Sequence, residues 1–150
     1  MSCNCEKPSK DTIRLLKECD AGCKMAIDSM EQISKYVSDN KLKSIIIKYN
    51  DDHIKLEKDI HRALNNYGKE DQEPNPIAKA SSWIQSEIKM MVNPDAHQAA
   101  SLLIDGCNMG IKSLCEYKNM YKAADEKSVQ FCEKILAMEE KMIEELKPFL

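Results

Sequence analysis

Little in this sequence interrupts a helix. Of 150 residues only four are Gly and five are Pro, and most of them fall near the ends of periodic segments. That scarcity favours long helices over the many short strands and tight turns of an all-β chain. No run of about eighteen apolar residues occurs, and the N-terminus carries no hydrophobic leader, so neither a membrane span nor export is expected. Charge of one sign is also missing. Lys and Arg number 22 against 25 Asp and Glu, interleaved to a net charge of −3. Without a basic stripe the chain has no electrostatic footprint for nucleic acid. It lacks a Gly-rich phosphate loop and a nucleophile elbow, and its three His have no zincin spacing. Hydrolase and transferase readings therefore have nothing to stand on, and a cytoplasmic protein is expected.

What is present is an ordinary globular balance, 43% hydrophobic and 31% charged, in a chain long enough to bury one core. The seven cysteines stand out. Their odd number and the lack of a secretion signal argue for reduced thiols over a disulfide framework. A buried thiol also packs as a small hydrophobe.

The chain repeats itself. Gly22-Cys23-Lys24-Met25-Ala26-Ile27-Asp28-Ser29-Met30 returns as Gly106-Cys107-Asn108-Met109-Gly110-Ile111-Lys112-Ser113-Leu114, an offset of 84 residues that also sets Lys43-Ser44-Ile45 on Lys127-Ser128-Val129. Two copies of one helical hairpin, at about 9–68 and 93–150, are expected on either side of a crossover at 69–92. Residues 1–8, with Cys3-Asn4-Cys5 and Pro8, read as a loose tail.

Within the first half, Ser9 caps a helix to about residue 38, its apolar face made by Ile13, Leu16, Cys19, Cys23, Ile27, Met30 and Val37. After the turn Asp39-Asn40, a second helix runs from about 41 to 67 with Ile45, Tyr49, Leu56, Ile60, Leu64 and Tyr67 on its stripe, and Gly68 stops it. A short helix around Trp83, about 77–92, lies in the crossover, with Trp83 as a packing anchor. Asn93-Pro94 marks the start of a third long helix to about 123, and Asp125 opens a fourth to about 146. Gly22, Gly106 and Gly110 suggest a close approach of the first and third helices. Two short connections and one long crossover give an all-α, ferritin-like four-helix bundle as a single domain over 9–150.

Helical wheels put four chemistry-bearing residues on apolar stripes at mid-length: Cys23, His53, Cys107 and Glu139, one from each long helix. Cys19, Glu57 and Asn50 lie close by as second-choice contributors, and His61 is expected in solvent. A carboxylate such as Glu139 at the centre of an apolar stripe is costly unless paired, protonated or bound to metal. The bland alternative for each is a satisfied core residue.

Asp20-Ala21-Gly22-Cys23-Lys24, Ser81-Ser82-Trp83-Ile84 and Asp105-Gly106-Cys107 carry a family resemblance over about residues 10–147. The chain resembles a bacterial ferritin-like family known as a domain of unknown function, in which tandem hairpins flank a crossover with a Trp-bearing helix. That resemblance implies a glutamate after each of these Gly positions and Glu or His ligands from the second and fourth helices. This sequence instead has Cys23 and Cys107 at the two glutamate positions, Asn50-x-x-His53 for Glu-x-x-His, and Met142 three residues after Glu139. Ferroxidase or oxygenase chemistry is therefore not expected. The first expectation is a non-enzymatic structural, interaction or stress-related accessory protein, with a homodimer or protein partner meeting a helix face, helped by Met90, Met91, Met120 and Met138. The alternative is a soft site for Zn or Fe, or a redox-thiol site, at the bundle centre.

Overall fold

The computed structural model describes residues 7–68, 83–89 and 95–150. The described residues form α1 (Lys10–Ser34), α2 (Asn40–Asn66), a short helical stretch α3 (83–89), α4 (Ala96–Met120) and α5 (Glu126–Leu146), closed by a 3₁₀ turn at Lys147–Phe149. No strand occurs among them, and none of these helices is long and apolar enough to cross a membrane.

Each long helix opens on a side-chain cap, which satisfies one of the amides its first turn leaves without a partner. Ser9 accepts from the Thr12 amide at 3.1 Å, Asp39 from Leu42 at 2.9 Å, Asp95 from Gln98 at 2.8 Å and Asp125 from Ser128 at 2.8 Å. The cap of α4 is thus Asp95; the expected Asn93-Pro94 start falls outside the described residues. Gly68, at φ +69°, takes the left-handed conformation that ends α2. Helix α1 stops at Ser34, earlier than its apolar period suggests. Val37 leaves the helix in a turn held by the Tyr36 amide on Ile33 O at 2.9 Å, yet still packs into the core.

Cross-helix contacts fix the directions. Ser9 Oγ donates to Ala123 O at 2.9 Å and Asp11 accepts from the Ala123 amide at 3.0 Å, so α1 begins where α4 ends. Thr12 Oγ1 accepts from the Asp125 amide at 2.8 Å, which places the starts of α1 and α5 together. Lys48 and Tyr49, early in α2, meet Glu145 late in α5, while Tyr67 donates to Asp125 at 3.2 Å. Helices α1 and α5 therefore run one way, and α2 and α4 the other. Helix α2 ends at one end of the bundle and α4 begins at the opposite end, about 40 Å away by helix length.

The buried stripe of α2 steps through Leu42, Ile46, Tyr49, His53, Leu56, Ile60 and Ala63, alternating four and three residues. Ile46, not Ile45, sits at its centre. The apolar core falls into two lobes. One gathers Met30, Ile33, Leu42, Ile46, Leu103 and Met142, and the other Leu15, Leu16, Leu56, Ile60, Leu114 and Ile135. His53 lies between Tyr49 and Leu56, and Glu139 between Ile135 and Met142, so both stand at the junction of the lobes.

The expected close approach of the first and third helices is not what the glycines do. A Cβ on Gly22 would meet Leu114 Cδ2 at 3.9 Å, one on Gly106 would meet Trp83 at 3.9 Å, and one on Gly110 would meet nothing within 4 Å. Gly110→Ala should therefore be accommodated without strain and stabilise the protein by up to about 1 kcal/mol through helix propensity, read as a higher urea midpoint.

Candidate functional site

All four residues expected at the bundle centre are buried, and they meet around one carboxylate. His53 is fully enclosed and Glu139 is 6% exposed. His53 Nε2 lies 2.7 Å from Glu139 Oε1, and His53 Nδ1 lies 2.6 Å from the Tyr49 carbonyl one helical turn back. A carbonyl only accepts, so Nδ1 carries a proton and donates it. The Nε2 contact to a carboxyl group then needs a second, bridging proton. Burial alone would lower the His53 pKa. The hydrogen bond and charge of Glu139, with the Tyr49 carbonyl, outweigh burial and leave it above its ordinary value. The raised pKa favours the imidazolium form, which donates one proton to the backbone and the other to Glu139.

The thiols complete the cluster. Burial raises the pKa of Cys107 well above the usual thiol range, and so do the negative charge of Glu139 and a hydrogen bond to it. Cys23 is raised by burial first and then by the fields of Glu139, Asp20 and Glu57. Both are therefore protonated thiols at neutral pH, poor nucleophiles as they stand. No three of the four donor atoms lie within 4.8 Å of one another.

The second-choice residues go elsewhere. Cys19 pairs across α1 and α5 with Cys132. Their thiol–thiol hydrogen bond is the largest cause of a raised Cys19 pKa and a lowered Cys132 pKa, and Cys132 lies 3.7 Å from Leu114 O. Asn50 keeps its amide oxygen buried with no hydrogen-bond partner. Glu57 turns to Asp20, whose hydrogen bond and charge add to burial in raising its pKa. Asp20 escaped sequence reasoning although it is completely buried. Its one legible signal is the i, i+4 spacing to Lys24, which pairs with it at 2.7 Å. Cys132 stood on the expected apolar face of the fourth helix, but a single-helix pattern could not reveal its partner. The tail cysteines Cys3 and Cys5, with Met90 and Met91, lie outside the described residues.

A cavity of about 280 Å³ opens between α1 and α4 beside this cluster. Gly22, Gly106 and Gly110 line it, with Met25, Met30, Met109 and Met142, Trp83 stands at its wall, and Cys107 and Glu139 reach it. The missing glycine side chains thus create space, not helix contact. Cys107 and Glu139 are approachable through an apolar, thioether-rich chamber, whereas Cys23 is not among its lining residues.

No family model, curated protein or solved structure matches this chain. The donor set is the remaining guide to chemistry. A di-iron carboxylate centre, which the family resemblance would imply, does not fit these residues. Thiols stand at two carboxylate positions, Asn50 and Met142 replace further ligands, and the cluster offers one carboxylate and one imidazole.

Removing one partner of a buried pair strands the other. Glu139→Ala should lower the unfolding free energy by about 3–5 kcal/mol in urea denaturation, and Glu139→Gln, which still offers His53 an acceptor, by less. The raised His53 pKa gives stability that is fully present below the unfolded-state value of about 6.5 and is lost as pH rises through the higher folded value. The urea midpoint should accordingly decline above neutrality, and His53→Gln should flatten that part of the pH profile.

Proposed function

We propose that this protein is a non-enzymatic, ferritin-like four-helix bundle that holds one soft divalent ion, Zn²⁺ or Fe²⁺, at the junction of its two core lobes. The observation that carries this reading is the 2.7 Å approach of His53 Nε2 to Glu139 Oε1 between the two apolar lobes of the core. A proton held between an imidazole nitrogen and a carboxylate occupies the place a metal ion takes in a metalloprotein. His53 is already oriented for that role, because metal-bound imidazoles commonly donate the other ring N–H to a backbone carbonyl, as Nδ1 does to Tyr49. Cys107 contacts the same carboxylate, and Cys23 lies within its field. The cavity supplies an entry path to Cys107 and Glu139.

Binding requires the thiols to lose their protons and close on the ion. Loading is therefore favoured by rising pH and releases protons. Two thiols, one imidazole and one carboxylate are a borderline-soft set of four donors that would suit Zn²⁺ or Fe²⁺ better than Mg²⁺ or Ca²⁺. The ferritin-like assignment draws support from the paired hairpins, the parallel course of α2 and α4, and the internal repeat. An association role has thinner support: exposed Ile47 lies on α2 and exposed Met109 and Met120 on α4, helices with no substantial packing between them.

Cobalt tests the proposal, because thiolate–Co²⁺ bonds give an intense ultraviolet charge-transfer band and tetrahedral Co²⁺ a visible one. Metal-free protein prepared under reducing conditions should take up a single Co²⁺ per chain with both bands, and Zn²⁺ should displace it. Cys107→Ser and Cys23→Ser should remove the charge-transfer intensity, and Glu139→Gln should weaken uptake. Wild-type protein that shows no thiolate band, with its inward thiols silent until unfolding, would mean that the cluster is a satisfied core.

A further inference from the structure

One helical turn along α1 and α2 from the central cluster, a second group of donors converges. Asp20 on α1 and Glu57 and His61 on α2 each bring a ligand atom within 4.8 Å of the other two, the one such trio among the described residues. Glu57 and His61 are four residues apart on one face of α2, the spacing at which two helical side chains reach a common point. Asp20 meets them from the neighbouring antiparallel helix. The group grades outward, with Asp20 0% exposed, Glu57 half-buried and His61 in solvent, so an ion reaches it from the surface without opening the bundle.

Two features mark this as more than a meeting of acids. The Asp20 side chain is completely buried, yet no backbone amide or hydroxyl donates to either of its oxygens. A buried carboxylate in that condition is costly, and it is held by a positive charge: Lys24 Nζ lies 2.7 Å from Oδ2. The second carboxyl, Glu57, comes within 4.8 Å of the first. Burial and Asp20 both favour protonated Glu57, against the opposing pull of Lys24 and His61. Once Glu57 ionises, two carboxylates face one lysine charge, and a divalent cation would supply the positive charge they then lack.

We propose that Asp20, Glu57 and His61 form a second metal site, distinct from the central cluster, that binds a divalent ion such as Mn²⁺ or Fe²⁺ and clips α1 to α2. The donor set is oxygen, oxygen and nitrogen, with no thiol, and open positions remain for water. Loading displaces the Lys24 ammonium from Asp20 and any proton from Glu57. The site thus differs from the thiol-bearing centre in the metals it prefers.

Mn²⁺ is the appropriate probe, since it favours oxygen and imidazole donors over thiolates. It is titrated into the full chain while free Mn²⁺ is followed by electron paramagnetic resonance and the histidine ring signals by NMR. Wild-type protein is expected to retain Mn²⁺ and to lose the His61 signal to paramagnetic broadening before those of His53 and His97. His61→Ala alters an exposed side chain and leaves the fold intact; it should weaken retention roughly tenfold or more, as should Asp20→Asn. Cys107→Ser should bind Mn²⁺ as wild type does, so failure of the central site leaves this one standing. Lys24→Met vacates the ion's position and should tighten binding. No Mn²⁺ retention by wild type, unchanged retention in His61→Ala, or weakened retention in Lys24→Met would each overturn the proposal, and if Asp20→Asn does not fold, His61→Ala decides.

Discussion

The rest of the bundle is built around a hydrogen bond between an imidazole and a carboxylate in the middle of an apolar core. His53 and Glu139 sit on helices that pack directly, and neither is tolerable there alone. An isolated buried charge is far more costly than any single contact around it can offset, so the two residues fix the relative height and rotation of α2 and α5. The apolar lobes on either side then fill with Leu, Ile and Met that meet only when that register holds. Specificity of packing is what this pair supplies most directly, because hydrophobic faces alone tolerate sliding.

Around that bond the interior is unusually rich in groups that hold protons. Cys23 and Cys107 stand near Glu139 as neutral thiols, and Cys19 and Cys132 share a hydrogen bond across α1 and α5. Asp20 and Glu57 crowd each other under Lys24. These sets lie within about one turn of α1, since residues 19, 20 and 23 project from neighbouring positions of one helix. A single element thus supplies a donor to each of three clusters, while α2 and α5 determine which partner each donor meets. The chamber beside Cys107 adds access: small residues at 22, 106 and 110 leave space where larger ones would have closed the core.

The helix pattern was legible because it rests on local rules. Apolar spacing, Ser9 and Asp125 as caps, and Gly68 as a stop act within a turn or two of chain, and all recur in the structure. Errors came where tertiary contact overrode local period. Val37 continues the apolar stripe of α1 but is buried from a turn, and Gly110 looks like a close-packing residue but faces open space. The wheel placed Cys23, His53, Cys107 and Glu139 at one level, and all four are buried, with His53 and Cys107 hydrogen-bonded to Glu139 and Cys23 within its field. It placed Glu57 and Cys19 near the same centre, whereas the structure turns them to Asp20 and Cys132.

The sequence by itself therefore determined the long helices, the caps of the first and last of them, the internal repeat and most of the inward faces, since each follows from periodicity and from amides needing partners within one turn. Only the tertiary structure decided who meets whom. Whether a buried thiol finds a carboxylate, another thiol or a cavity depends on the rotation and height of another helix, distant in the chain. Asp20 shows this most plainly. On its own helix it is an ordinary acid one turn from a lysine, and it becomes a fully buried, crowded carboxylate only when α2 brings Glu57 and His61 against it.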